Sequence, residues 1–424
     1  MSGPFAIEGG TSLRGTASVP GDKSISHRAL LIAALAEQRS RFRNLSHGED
    51  VRSTRGLIEK LGARVTEDET EVIVDPGHSP GGEARSINCG NSGTTMRLGA
   101  GVLTRAGGVS TLWGDASLSA RPMARVLEPL CSMGASARST DGHAPIVIEG
   151  GDLHGIDFTA PVASAQVKGA VLFAALGAEG ATTVREVVAT RAHTEEMLLQ
   201  AGADVTIAEG YVLIRPSSLG PLDLDIPGDP SAAAFWVVAA SIVPGSQVRI
   251  ERLYRGPGRG GFIDILLRMG ADLSITERGP NLVDIEARSA ELRGTEVCDP
   301  GEIAATVDEL PAIAVAAAFA AGTTVIRGAG ELRVKESDRL SAIHDGLTAL
   351  GAEVEQTADG LVIEGAGPAG LAGGNVDAGG DHRIAMAMAV AGLAARHTTE
   401  IAGWDSVRIS DPGFERQIGR LRAA

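Results

Sequence analysis

Five times along this chain a helix-like segment ends in glycine and alanine and runs on into a strand-like stretch: "KLGARVTED", "SMGASARST", "QAGADVTIA", "RMGADLSIT" and "LGAEVEQT". The glycines are Gly62, Gly134, Gly202, Gly270 and Gly351, at intervals of 72, 68, 68 and 81 residues. Glycine suits the C-terminus of a helix, where a left-handed residue closes the last turn. After each comes a short alternating strand, a polar turn and a second strand, as in "RVTEDETEVIVD" and "EVEQTADGLVIEG". Such a period marks a supersecondary unit repeated along the chain, about six times over its length. A unit this small cannot bury its own helices, so several must share a core. The pattern predicts an α/β protein of two halves, each of three units, with the Pro/Gly-rich "DIPGDPSAAA", Asp225 to Ala234, as a hinge and the cleft between halves as the default ligand site.

Composition narrows the function. Aromatic residues make up only 3% of the chain, so its cores must be built from Ala, Val, Leu and Ile. A net charge of -15 repels polyanions, which argues against nucleic-acid and membrane-surface partners and requires any basic site to be local. Cys89, Cys131 and Cys298 are odd in number, far apart and without CxxC spacing, so neither a disulfide framework nor a zinc site is expected. A reducing cytoplasm is the expected compartment. The stretch "MSGPFAIEGG" lacks the charged and apolar regions of a signal peptide. The run Leu310 to Ala321 contains Pro311 and is too short to span a bilayer, which predicts a core helix.

Against this acidic background, cations recur at the apparent starts of apolar helices. In "VPGDKSISHRALLIAALA", Ser24 or Ser26 is placed to cap a helix whose first turn carries Lys23 and Arg28. Free N–H groups, the positive helix end and two cations make a site for phosphate or carboxylate. "GNSGTTMR" sets Gly93 and Arg97 in the same relation, and "ASAQVKGAVLFAAL" places Ser164, Gln166 and Lys168 there, with Arg191 and His193 downstream. "TVDELPAIAVAAAFAAG" carries Thr306 and Glu309 at capping-box spacing around Asp308. In "ELRVKESDRL" a helix would put Lys335, Glu336 and Arg339 on one face, and "GGDHRIAMAMAV" again sets Asp381, His382 and Arg383 at a helix mouth. His382 has no second histidine at ligand spacing. "GPGRGG" lacks the Lys-Ser/Thr of a P-loop and reads as a flexible loop. Taken singly, each feature is as well explained by capping or a solvated face; their recurrence is what points to an anionic ligand.

Together, "PGDKSISHRALL", "GNSGTTMR", "ARPMARVLEPL", "SAQVKGA", "DELPAIAVAAAFAAGTTVIRG", "ELRVKESDRL" and "DHRIAMAMAVAGL" closely resemble, in family order and over nearly the whole chain, the motifs of the 5-enolpyruvylshikimate-3-phosphate synthases. The resemblance implies an enolpyruvyl transferase fold: two similar domains, each of three β-α-β-α-β-β units in an inverse α/β barrel-like arrangement. Residues 1–17 with 228–424 would form a discontinuous domain and 18–227 a continuous one, with the active site in the interdomain cleft. It further implies transfer of the enolpyruvyl group of phosphoenolpyruvate to the 5-hydroxyl of shikimate 3-phosphate, with release of phosphate, on the route to chorismate and the aromatic amino acids. Matched residue by residue, Lys23, Gly93, Arg121, Gln166, Arg339 and Arg383 would hold phosphoenolpyruvate. Lys23, Ser24, Arg28, Ser164, Ala165 through its backbone, Gln166, Arg191, Asp308 and Lys335 would hold shikimate 3-phosphate. Asp308 matches the proton acceptor at the hydroxyl and Glu336 the carboxylate acting at the methylene, with Lys23 assisting. The resemblance implies no metal, nucleotide or organic cofactor, and a monomer working on small molecules.

The chain departs from the family pattern near its C-terminus, where "VRISDPGFERQI" has Ile409 and Asp411 in place of a cation or threonine and an aromatic, and at Ala120, where related sequences have lysine. The sister transferase acting on UDP-N-acetylglucosamine carries a cysteine where this chain has Ala116, so its acid catalyst is missing here. Two rival readings are a paralogue acting on a different hydroxylated acceptor and a non-catalytic binder of phosphorylated ligands.

Overall fold

A computed structural model describes residues 3–77 and 83–423; Met1 and Ser2 of the first expected segment lie outside them. One repeat shows how each is built. Strand Arg85–Asn88 leads into helix Gly93–Leu103, strand Val109–Trp113, helix Ala124–Ser132 and the hairpin Ser136–Thr140 with His143–Glu149. The first two strands pair in parallel, Ile87 opposite Leu112, as a helix-connected crossover demands. The hairpin adds antiparallel, Leu112 opposite Ile146 and Ile148 opposite Ala137. Alternation along His143–Glu149 buries Ala144, Ile146 and Ile148 on one face.

Among the described residues the same four-stranded order, one parallel pair followed by an antiparallel hairpin, occurs in five sheets. The sixth has three strands and takes its antiparallel member from the opposite end of the chain, with Phe5 opposite Ile401. The repeat glycines behave as their positions require: Gly62, Gly134, Gly202, Gly270 and Gly351 all follow a helix and adopt φ between 88° and 105°.

The chain divides into two compact units, Met1–Pro20 with Pro227–Ala424, and Gly21–Ile226. In each, one strand comes from beyond the neighbouring stretch of chain. Arg14–Ala17 pairs in parallel with Gln247–Tyr254, and Asp223–Asp225 with Ser40–Arg43. Each repeat has one helix buried along most of its length. Leu310–Phe319 is buried from Leu310 to Ala318, with Pro311 in the first turn, where its missing N–H costs nothing. Small side chains let such helices touch: a Cβ on Gly101 would collide with the backbone of Ala170. In the discontinuous unit Trp236 stacks on Phe414 at 4.4 Å between ring centres.

The glycine-rich segment Gly256 to Gly261 differs from the flexible loop its composition suggests. Arg259 is buried, donating to Glu309 Oε1 at 2.7 Å, Asp229 Oδ1 at 2.8 Å and Ser231 Oγ at 2.7 Å. A buried guanidinium satisfied by two carboxylates ties this loop to the starts of two core helices.

Candidate active site

On the Gly21–Ile226 unit, the expected residues gather at the N-termini of three buried helices and of the helices that follow them. Asp22 caps Lys23–Leu35, its Oδ1 accepting from Ile25 N at 2.9 Å, so the cap is neither Ser24 nor Ser26; Ser26 Oγ instead donates back to the Asp22 carbonyl at 2.8 Å. The shift of cap leaves Lys23 and Ser24 in the first turn, beside N–H groups with no intrahelical acceptor. Lys23 Nζ rests 2.8 Å from Asp50 Oδ2, with 14% of its side chain exposed. Arg28 is buried and fixed at both edges, Nε to Thr194 Oγ1 at 2.6 Å and Nη1 to the Ser24 carbonyl at 2.9 Å.

A hydroxyl relay joins this helix to Gly93–Leu103 through Thr54 of the helix Glu49–Lys60. His27 Nδ1 lies 2.6 Å from Thr54 Oγ1, which lies 2.7 Å from Thr95 Oγ1. Burial, helped by Lys23 and Arg28, pushes the His27 imidazole well below its ordinary range. Ser92 caps Gly93–Leu103, accepting from Thr95 N at 3.1 Å. Gly93 faces two guanidiniums: a Cβ there would stand 3.1 Å from Arg97 Nη1 and 3.3 Å from Arg121 Nη1. Arg121 donates to Asn91 Oδ1 at 2.5 Å. Gln166 accepts from Arg97 Nη1 at 2.7 Å and donates to Thr94 Oγ1 at 2.9 Å. Ser164 caps Ala165–Ala175. The Ala165 N–H heads that helix, and Arg191 stands just before His193–Gln200.

On the other unit, Asp308, Lys335, Glu336, Arg339 and Arg383 form a second group. Thr306 and Glu309 do not make the expected capping box: Thr306 Oγ1 donates to the Glu302 carbonyl at 2.6 Å, closing a separate helix, and Glu309 offers no side-chain cap. Asp308 therefore sits in the break between two helices, its Oδ1 3.4 Å from Arg339 Nη1 and 3.8 Å from Arg383 Nε, its carbonyl accepting from Arg383 Nη1 at 3.0 Å. Lys335 and Glu336 do not share a helix with Arg339, which opens the helix Arg339–Ala349 behind the cap Asp338. Glu336 Oε2 nevertheless reaches Arg339 Nη2 at 2.5 Å.

Arg339 is the hub of this group. Burial opposes its charge, but Asp381, Glu336 and Asp308 outweigh it and hold the guanidinium firmly protonated. Asp381 in turn is buried, yet Arg339 keeps its carboxyl below the usual range. Loss of hydration lowers the Lys335 ammonium, against the pull of Asp308 and Glu331.

Thus nine expected residues lie on one unit and five on the other. Four neighbours outside the family-matched residues hold members of that set, Asp50 holding Lys23, Arg97 Gln166, Asn91 Arg121 and Asp381 Arg339, and of these Arg97 and Asp381 already stand at helix mouths in the sequence. Arg97 has a signal in its spacing from Gly93. Asp50 has none, because it meets Lys23 only through packing. Among the described residues no group of three or more His, Cys, Asp or Glu is arranged to hold a metal ion, and no helix is long and apolar enough to cross a membrane.

The fold is that of the enolpyruvyl transferases. The chain matches the enolpyruvyl transferase NikO of Streptomyces tendae with a TM-score of 0.80 at 20% identity, over 99% of this chain and 98% of that one, a likeness of fold alone. A solved EPSP synthase from Acinetobacter baumannii matches at a TM-score of 0.87 and 39% identity, over 99% and 98% of the two chains. The 3-phosphoshikimate 1-carboxyvinyltransferase of Gloeobacter violaceus is 46% identical over 437 residues, covering 100% of both, and that of Synechococcus sp. (strain JA-3-3Ab) is 46% identical over 426 residues, covering 96% of this chain and 94% of the relative. The family model for EPSP synthase (3-phosphoshikimate 1-carboxyvinyltransferase) matches residues 7–418. The chain belongs to the EPSP synthase family, in agreement with its motifs.

Proposed function

We propose that this chain transfers the enolpyruvyl group of phosphoenolpyruvate to the 5-hydroxyl of shikimate 3-phosphate and releases inorganic phosphate. The observation that carries the reading is that Asp308 and Glu336, two carboxylates suited to opposite proton transfers, are both held by the single guanidinium of Arg339. Two phosphates and two carboxylates must be bound by a molecule of net charge -15, so local cations are the physical requirement. Arg28 and Arg191, with Ser164 and the Ala165 N–H, would take the ester phosphate of the acceptor, and Lys335 with Asp308 its ring hydroxyls. Gly93, Arg121, Gln166, Arg339 and Arg383 would take phosphoenolpyruvate. Lys23 would serve both.

In this reading Asp308 accepts the hydroxyl proton as the oxygen attacks the central carbon of phosphoenolpyruvate, and Glu336, with Lys23 assisting, delivers a proton to its methylene carbon. The resulting tetrahedral adduct carries both substrates. Loss of a proton from the new methyl group then expels phosphate and restores the double bond. Arginines fixed in advance by Asp381, Asn91 and Thr194 stabilise the developing charge without reorganising. The protein is further read as a cytoplasmic monomer with no nucleic-acid or membrane partner, a reading supported by its acidic balance.

The test is phosphate release from phosphoenolpyruvate with and without shikimate 3-phosphate. Acceptor-dependent release is expected; equal, negligible rates would remove the assignment.

A further inference from the structure

Lys168 stands in the first turn of Ala165–Ala175, its N–H bonded to the Ser164 carbonyl at 3.1 Å, where a cation would ordinarily be offered to an anion. Its side chain is instead buried, 1% exposed, with Nζ 2.8 Å from Glu186 Oε2 and 2.6 Å from Glu195 Oε1. Those glutamates flank one loop. Glu186 ends the strand Thr182–Glu186 and Glu195 lies in the first turn of His193–Gln200, so residues 187–192, including Arg191, span the gap between two partners of one ammonium. The remaining oxygen of Glu186 turns into the loop, accepting from Thr190 N at 3.1 Å and from Thr190 Oγ1. The next helical residue after His193, Thr194, holds Arg28 at 2.6 Å.

We propose that Lys168, Glu186 and Thr190 form a buried clasp that sets the position of Arg191, making them positioning residues for the phosphorylated acceptor. The physical case is one of cost and geometry. A lysine buried to this degree is retained only when paired, and pairing it with both ends of a loop removes the loop's freedom to drift. Thr190 adjoins Arg191, so the Glu186–Thr190 bonds fix the backbone from which the guanidinium extends. Because Lys168 shares a helical turn with Ser164 and Gln166, the clasp also ties this loop to the second acceptor-facing segment. Phosphoenolpyruvate is assigned to Lys23, Gly93, Arg121, Gln166, Arg339 and Arg383, none of which lies in residues 187–192, and Gln166 is held separately by Arg97 and Thr94. The inference rests on the reading of Arg191 as an acceptor-phosphate ligand.

The experiment is steady-state kinetics of the full chain with each substrate varied, on Thr190→Val, Thr190→Ser and Arg191→Ala. Thr190→Val keeps the shape and the backbone bond but removes the hydroxyl from Glu186. The expected result is a KM for shikimate 3-phosphate raised about tenfold, with KM for phosphoenolpyruvate within about twofold of wild type and recovery in Thr190→Ser. If Arg191→Ala raises the acceptor KM and Thr190→Val does not, the clasp is overturned and the reading of Arg191 stands. If neither raises it, the reading of Arg191 fails and the clasp with it. Equal losses on both substrates, or a lowered melting temperature with unchanged KM values, also overturn the clasp. Should Thr190→Val not fold, Glu186→Gln carries the same test with the same outcomes.

Discussion

Arg339 Nε donates to Asp381 Oδ2 at 2.7 Å with neither side chain more than 1% exposed. Asp381 also caps the helix that carries Arg383, accepting from its N–H at 2.9 Å. One carboxylate thus orients two of the cations assigned to phosphoenolpyruvate. Removing it leaves a buried guanidinium short of its main partner, so Asp381→Ala is expected to destabilise the fold by about 3–5 kcal/mol and to depress kcat/KM for phosphoenolpyruvate. Urea denaturation beside steady-state kinetics reads both, and a wild-type midpoint would contradict the structural half.

Lys23 is held by Asp50, which lies in the first turn of the helix Glu49–Lys60 where the helix N-terminus also favours its charge, and the cap of the helix that Lys23 opens is Asp22. Lys23→Ala is therefore expected to fold with a melting temperature close to wild type and to lose most of its activity. A near-normal rate would reduce the segment "PGDKSISHRALL" to a helix start.

Gly93 presents only hydrogen where a Cβ would come within 3.3 Å of Nη1 of both Arg97 and Arg121. Such an approach is tight but not impossible, and the flexible guanidinium ends are what must give. Gly93→Ala should therefore fold normally while raising KM for phosphoenolpyruvate more than for the acceptor, by about tenfold. Unchanged KM values would mean that the two arginines move at no cost.

Asp411 is buried and accepts from Gly413 N at 3.0 Å. Burial, together with Asp229 nearby, pushes its carboxyl up to about 6. In the unfolded chain the same group titrates near its ordinary value of about 4. Between those values the folded state keeps a proton that the unfolded state has released, so this group's contribution falls as pH rises from about 4 to about 6 and stays at its lowest above that. Asp411→Asn, which can still accept from Gly413, should gain roughly 1–3 kcal/mol relative to wild type at pH 7 and nothing near pH 4. Denaturation at the two pH values checks it; an equal difference at both would place the effect elsewhere.

How much of the fold and site is legible in the sequence depends on distance along the chain. The Gly-Ala punctuation announces the repeat, because a left-handed residue after a helix is a local demand that glycine meets at each of five positions. Cations at helix mouths are visible for the same reason. Finer local choices are not: Asp22, Ser24 and Ser26 are all competent caps, and spacing alone does not rank them. Nor does charge spacing reveal that Lys335 and Glu336 precede their helix, since i,i+3 neighbours can pair across a helix start as well as within it.

By itself the sequence determined the fold class, the period of its units, the aliphatic character of the cores and, through motif resemblance, the family and the expected site residues. Tertiary structure decided which partners those residues keep. Lys23 meets Asp50, Arg339 meets Asp381 and Arg259 joins Asp229 to Glu309, and it is packing that closes the intervening chain. The reason is physical: hydrophobic period and backbone dihedrals are set by a few neighbouring residues, whereas a buried charge takes whichever opposite charge the assembled core leaves within reach, and that is fixed only once the helices are in place.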